Sequence, residues 1–364
     1  MRGQGQKQTS MLILRSPEDF VPKQHPIRRI KKLADDVLRT LSPTLEAMYA
    51  QGGRPSIPPE RLLKATILMA LYTVRSERQF AEQLNYNLLF RWFLDMDMTE
   101  EGWEHSSFTR NRERLLQHEV AGKFFYAVVE QAKRERLTSS EHFTVDGTLI
   151  EAWASLKSFK SKDADDKDPP DDRGNPTVDF RGEKRTNDTH ASTTDPEARL
   201  AKKSKGKEAK LSYSAHALME NRNGLLIDFR VDQADGQAEW RNALTMLERV
   251  AGARRITVGG DKGYDVRGFV KACRQMQITP HVAQNLEHQG GSAIDGRTTR
   301  PAGYLISQRK RKLVEEIFGW GKTVGNFRKT RLVGLAKNKL AGFMVAAAYN
   351  LVRIAKLLPL PEPA

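Results

Sequence analysis

From His142 onward the chain alternates strand-like and helix-like stretches, and that alternation limits its fold more than any other feature. FTVDGTLI, rich in β-branched residues, predicts a strand, and KLSYSAHALMENRNGLLIDFRVDQA predicts a hairpin turned at Asn221 to Gly224. A helix over 238–250 follows, then strand ITVGG, helix DVRGFVKACRQM and strand ITPHVA. A Gly/Ser/Arg-rich loop to Arg300 leads to closing helices over 308–324 and 338–358. Strand, hairpin, helix, strand, helix, strand, helix implies an α/β fold: a mixed sheet flanked by helices.

The residues up to Leu137 show helical periodicity and no convincing strand. Ile27 to Leu45 has helical spacing, Pro58 and Pro59 open a second helix, Ser76 starts a third, and Ser106 or Ser107 caps a fourth. Two domains are expected: an all-α domain over 1–137 and an α/β domain over 138–364. Within the second, residues 158–210 read as an insertion. DADDKDPPDDRGNP and KKSKGK bury little apolar surface, so a disordered or mobile arm is expected, with one short helix capped by Thr194 and Glu197.

Three carboxylates stand where chemistry is possible. Asp146 and Asp261 follow strand-like runs, so each is presented at a strand end, while Glu315 lies on a helix. Arg311 and Lys322 project within roughly 40° of Glu315 on that helix, so an acid and two cations share one face. Taken singly, Asp146 before Gly147 and Asp261 before Lys262 and Gly263 also fit turn starts, and Glu315 fits a surface partner of Arg311. Together, three hard oxygen donors on separate elements suit two divalent ions about 3.5–4 Å apart, the arrangement that phosphodiester transfer requires. None of the eight histidines sits in a ligand pattern such as HExxH.

Charge points to the partner. The chain carries a net +15 with pI near 9.8, and Pro301 to Ala364 holds 12 Lys or Arg against three Glu, so a polyanion is expected. Cys273 is the sole cysteine, which excludes a disulfide framework within the chain and suits a reducing cytoplasm. The best membrane candidate, 340–352, is shorter than the ~20 apolar residues a spanning helix needs, so it reads as a buried helix and no membrane partner is expected. Trp153 and Trp320 read as core aromatics rather than base-stacking ones. VDGTL resembles the DxDGT strand of haloacid-dehalogenase-like phosphatases, but Thr144 stands at the nucleophile position and cannot form an aspartyl-phosphate.

FTVDGTLIEAW, STTDPEARL, KLSYSAHALMENRNGL, GGDKGYD, SAIDGRTTR and QRKRKLVEEIFGWGKTVGNFRKTR together resemble the DDE transposases of bacterial insertion sequences, specifically the IS-five family, from about residue 20 to 355. The resemblance implies a ribonuclease-H-like fold with Asp146, Asp261 and Glu315 as catalytic ligands of two Mg²⁺ or Mn²⁺ ions. Arg311, Glu315 and Lys322 match the family's Tyr-x2-Arg-x3-Glu-x6-Lys signature, while Gln308 stands at its Tyr position. It further implies phosphate contacts from Arg311, Lys322, Arg328, Lys329 and Arg331, and end recognition by the N-terminal helices, where Arg110, Arg112 and Arg114 are candidates. Double-stranded DNA, as element ends and target, is the expected partner of a homodimer. Two rival readings are a nuclease or resolvase without strand transfer, and a DNA-binding regulator with a vestigial centre.

Overall fold

The computed structural model describes residues 15–359, apart from 50–51, 53–55, 163–178, 181–182, 204–205, 237 and 288–289. Helices fill the first part: α1 (Pro17–Phe20), α2 (Ile27–Glu46), α3 (Pro59–Leu71), α4 (Glu77–Leu84), α5 (Leu88–Phe93), α6 (Ser106–Gln117) and α7 (Val120–Arg134). The expected N-terminal signals act locally: Pro59 occupies the first turn of α3, and Ser76 Oγ accepts Gln79 N at 3.1 Å to cap α4. At α6 neither Ser106 nor Ser107 is the cap; His105 holds that position without a side-chain bond.

Strands follow: β1 (His142–Glu151), β2 (Phe159–Ser161), β3 (Asp179–Phe180), β4 (Glu183–Lys184), β5 (His190–Ser192), β6 (Arg199–Ala201), β7 (Lys210–Glu220) and β8 (Leu226–Gln233). Next come α8 (Ala238–Glu248), β9 (Ile256–Gly260), α9 (Arg267–Gln275), β10 (Ile278–Val282), α10 (Gly296–Thr299), α11 (Ala302–Lys310), α12 (Val314–Thr323) and α13 (Leu335–Leu357). The helix expected over 308–324 thus starts earlier and is broken by a 3₁₀ turn at Arg311–Leu313.

The main sheet runs β10-β9-β1-β7, with β8 and β6 both bonded to β7. β1 is antiparallel to β7 and parallel to β9, β9 is parallel to β10, and β7 is antiparallel to β8. Leaving β6 aside, the order is β8-β7-β1-β9-β10, three antiparallel strands joined by the hairpin and α8 to two parallel ones linked through α9. That is the ribonuclease-H-like arrangement, with β1 at its centre.

The insertion is more ordered at its ends than its composition suggests. β2 pairs β5, and β6 extends the sheet along β7, while DADDKDPPDDRGNP lies outside the described residues. No helix forms at Thr194 to Glu197. Asp195 instead accepts the Tyr213 hydroxyl at 2.7 Å, and Glu197 accepts Leu335 N at 2.8 Å, capping α13 from a distance.

α13 is long and apolar enough to cross a membrane by length and composition. It packs against α7, β8, α3 and α2, and Ala346, Ala347, Leu351 and Ile354 are buried in a core shared with both parts of the chain. Gly342 permits the closest approach, since a Cβ there would meet Val231 at 2.7 Å.

Candidate active site

The site begins with strand register. β1 and β9 pair in parallel through Thr144 and Gly259, and two residues further along each chain stand Asp146 and Asp261. Neighbouring strands run about 4.8 Å apart, so the two carboxylates stand side by side where β1–β9 pairing stops, Asp146 in mid-strand because β1 runs on beside β7 to Glu151. The Asp146 Oδ1 atom accepts Gly147 N at 2.8 Å. Asp261 caps a 3₁₀ turn (Lys262–Tyr264) by accepting Gly263 N at 2.8 Å.

Alternation puts Thr144, Asp146 and Thr148 on one face of β1. Over that face lies the α11–α12 rod. Gly259 lets it come close: a Cβ there would stand 3.2 Å from Ser307 Oγ and 3.3 Å from Arg311 Cβ. Farther along, Lys322 Nζ donates to Thr148 Oγ1. Arg311 is near enough to lower the Asp146 pKa, and Asp146 in turn favours the Lys322 charge. Gln308, at the signature's Tyr position, accepts Arg311 Nε at 2.9 Å and donates to the His281 carbonyl, so an amide does the positioning.

Glu315 is exposed in the first turn of α12. Its helical face is the one bounded by Arg311 and Lys322, whereas Glu316 turns to Arg353, 3.9 Å away. The structure brings Asp146 and Asp261 together but does not draw Glu315 into contact with them. Among the described residues no three His, Cys, Asp or Glu are gathered tightly enough to hold an ion.

Electrostatics nevertheless single out Asp146. Burial pushes its carboxyl up to about 7, and the Asp261 and Glu239 charges push the same way against the Gly147 N–H and Arg311. Glu239, in the first turn of α8, is raised by burial and then by Asp261. Burial and the neighbouring cations Lys203 and Arg328 lower Lys322. A buried carboxyl among like charges favours either a proton or a cation, and an all-oxygen donor set fits Mg²⁺ or Mn²⁺.

The basic run after α12 borders this centre. Glu151 N donates to the Arg328 carbonyl at 3.0 Å and Thr330 N to the Glu151 carbonyl at 2.9 Å, so residues 328–330 dock along the end of β1. Arg328 is exposed, Lys329 pairs with Glu151 at 2.8 Å, and Arg331 lies 5.9 Å from the Trp153 ring centre. Trp153 is 50% exposed, contrary to the expected core placement, while Trp320 packs edge-on against Tyr349.

The N-terminal arginines divide. Arg110 is exposed on α6, Arg114 stacks on Tyr49 at 4.4 Å, and Arg112 turns inward to pair with Glu77 of α4. Arg112 thus ties α6 to α4, whereas Arg110 is free of that packing. Sequence reasoning missed Glu239 and the buried His216 beside it. An acidic residue in a helix's first turn looks like a dipole partner, and nothing local marks it otherwise.

Residues 15–114 match the model described as transposase domain (DUF772), and residues 185–351 match that of the transposase DDE domain. No curated protein matches the chain. Among solved structures, a piggyBac transposase synaptic complex with hairpin DNA is 10% identical over 91% of this chain and 75% of that one, at a TM-score of 0.40. A pre-cleavage Mos1 transpososome is 11% identical over 84% and 82%, at 0.20. At those scores the fold assignment stands on strand order rather than on likeness. Strand order gives the ribonuclease-H-like fold, and the two matched domains, both of transposases, give the class. The chain is a DDE transposase, an enzyme that cleaves and transfers DNA.

Proposed function

We propose that this transposase belongs to the IS-five family, binds the terminal inverted repeats of its own element, cuts DNA at the element ends and joins the freed 3′-hydroxyls to target DNA. The observation carrying the proposal is the register that sets Asp146 and Asp261 side by side at the end of β1–β9 pairing, under a helix bearing Arg311 and Lys322. Such a cluster of acids among phosphate-binding cations suits a reacting phosphodiester and little else.

Asp146, Asp261 and Glu315 are the catalytic carboxylates in this reading. Two Mg²⁺ or Mn²⁺ ions held there would supply an activated attacking oxygen and neutralise the leaving one. Asp146 must shed its proton to bind a cation, so ion binding releases a proton near neutral pH. Glu315 follows the 3₁₀ turn at Arg311–Leu313, and that break in the rod is the joint at which it swings toward the aspartates on DNA. Arg311 and Lys322 hold the scissile strand's phosphates, and Arg328, Lys329 and Arg331 extend the track, fixing register without reading sequence. Arg110 and Arg114 remain on α6 to meet the element end. Two ends must be held together, so a homodimer on DNA, in the bacterial cytoplasm, completes the proposal.

The test is Mg²⁺-dependent cutting of a labelled duplex carrying the element's own terminal repeat. Wild type should cut and form joined target molecules, and Asp146→Asn should do neither. Equal cutting by both would remove Asp146 from the mechanism, and cutting without joined products would reduce the enzyme to a nuclease.

A further inference from the structure

We propose that Glu239 is a further carboxylate of the same metal centre, entering from the face of the sheet opposite Glu315; the proposal rests on the reading of Asp146 and Asp261 as metal ligands. Gly147 follows Asp146 on β1 and faces the other side, toward α8. It has no side chain there, and the space is taken: its Cβ position lies 3.0 Å from Glu239 Oε1 and 3.1 Å from His216 Nδ1. The other Glu239 oxygen reaches the Asp261 turn, where the Cβ position of Gly263 is 3.7 Å from Glu239 Oε2 and 3.0 Å from Asp261 Oδ1. One carboxylate thus spans from the residue after the first aspartate to the turn that the second aspartate caps.

Its surroundings are not those of a structural acid. Asp195 accepts a tyrosine hydroxyl and a backbone N–H, and Asp265 accepts Asn285 N at 2.7 Å and Ala293 N at 2.9 Å. Among the described residues Glu239 has no cation partner, and the one group that answers it is the buried Tyr264 hydroxyl, close enough to hold its pKa down against burial and Asp261. His216 is 2% exposed with both ring nitrogens unpartnered, so a second polar group points into the same space without a ligand of its own. An unsatisfied buried group is costly, and the orphaned His216 ring beside Glu239 and two aspartates is answered by a cation with its water shell, around which the carboxylates must draw closer than they stand here.

The experiment is Mn²⁺ binding to the full chain without DNA, read by electron paramagnetic resonance of free Mn²⁺, for wild type, Glu239→Gln, Asp146→Asn and Glu315→Gln. Glu239→Gln should weaken Mn²⁺ binding about tenfold or more, with a melting temperature in EDTA no lower than wild type. Gly147→Ala, which drives a methyl toward the Glu239 oxygen while leaving every acid in place, should also weaken binding and serves if Glu239→Gln fails to fold. Wild-type Mn²⁺ affinity in Glu239→Gln, or in Gly147→Ala where that variant stands in, overturns the proposal. If Asp146→Asn then loses Mn²⁺ affinity, only Glu239 leaves the centre; if it too binds as wild type, the underlying site reading falls as well.

Discussion

Glu220, buried, and Asp146, half-buried, are carboxylates on the same pair of strands, and the fold treats them in opposite ways. Glu220, opposite Phe143 in the β1–β7 register, is 0% exposed and accepts N–H donors from Ser139, Arg222, Asn223 and Leu225 at 2.9–3.1 Å. Backbone amides replace its water, and the acid ties the β7–β8 turn to the end of α7's connection. Asp146, three residues along β1 from Phe143, has one N–H from its own neighbour and the charges of Asp261 and Glu239 around it. The helical part repeats the first pattern: buried Lys64 contacts Asp35 at 2.8 Å and Asp95 at 2.5 Å. Charges that hold the fold are answered inside the protein. Those at Asp146 are left for something outside it, which marks a working site.

The sharpest way to break that contrast is to neutralise each acid. Asp146→Asn should lower end cleavage by about a thousandfold or more while leaving thermal stability in EDTA unchanged or higher. Glu220→Gln should do the reverse, costing about 3 kcal/mol of stability because an amide cannot accept from all four donors, while Mn²⁺ binding survives. Denaturant unfolding and cleavage assays on both variants decide it, and a destabilised Asp146→Asn with normal cutting would invert the account.

pH supplies the next test. The Asp146 pKa is raised from 3.8 to about 7, so its contribution to metal-free stability is full below pH 4 and is lost as pH rises through 7. The half-buried His142 and the buried His216, both lowered to about 4 chiefly by desolvation, act oppositely: their contribution is present above 6.5 and lost as pH falls toward 4. The difference in melting temperature between wild type and Asp146→Asn in EDTA isolates the carboxyl. It should shift steadily against wild type from pH 4 to 7, and a flat difference would place Asp146 in water.

Smaller effects sharpen the picture at the rim. Lys322→Ala should reduce the slope of log binding against log salt by about one, uniformly across DNA sequences. Arg110→Ala, on an exposed helical face, should change stability by no more than about 0.5 kcal/mol, so any loss of affinity for the element end over random DNA is a recognition effect.

Sheet and hairpin were legible in the sequence because period-two runs and the Asn221–Gly224 turn are local signals, and Asp261 was legible because it ends such a run; Asp146 was expected at a strand end but stands in mid-strand, past the end of β9 pairing only, with β1 running on beside β7 to Glu151. What escaped was non-local. Nothing local in α6 marks Arg112 as the partner of Glu77 on α4. Thr194 and Glu197 had the spacing of a capping box, yet the start of α13 takes Glu197 across 138 residues. Glu239 lies 93 positions from Asp146, and only the folding of α8 over β1 brings their surroundings together.

The central claim is most directly tested by anomalous diffraction from crystals of the protein with its element end and Mn²⁺. The account predicts Mn²⁺ peaks between the carboxylates of Asp146 and Asp261, with Glu315 closed onto the same ions. Peaks elsewhere, with the two aspartates bare, would contradict it.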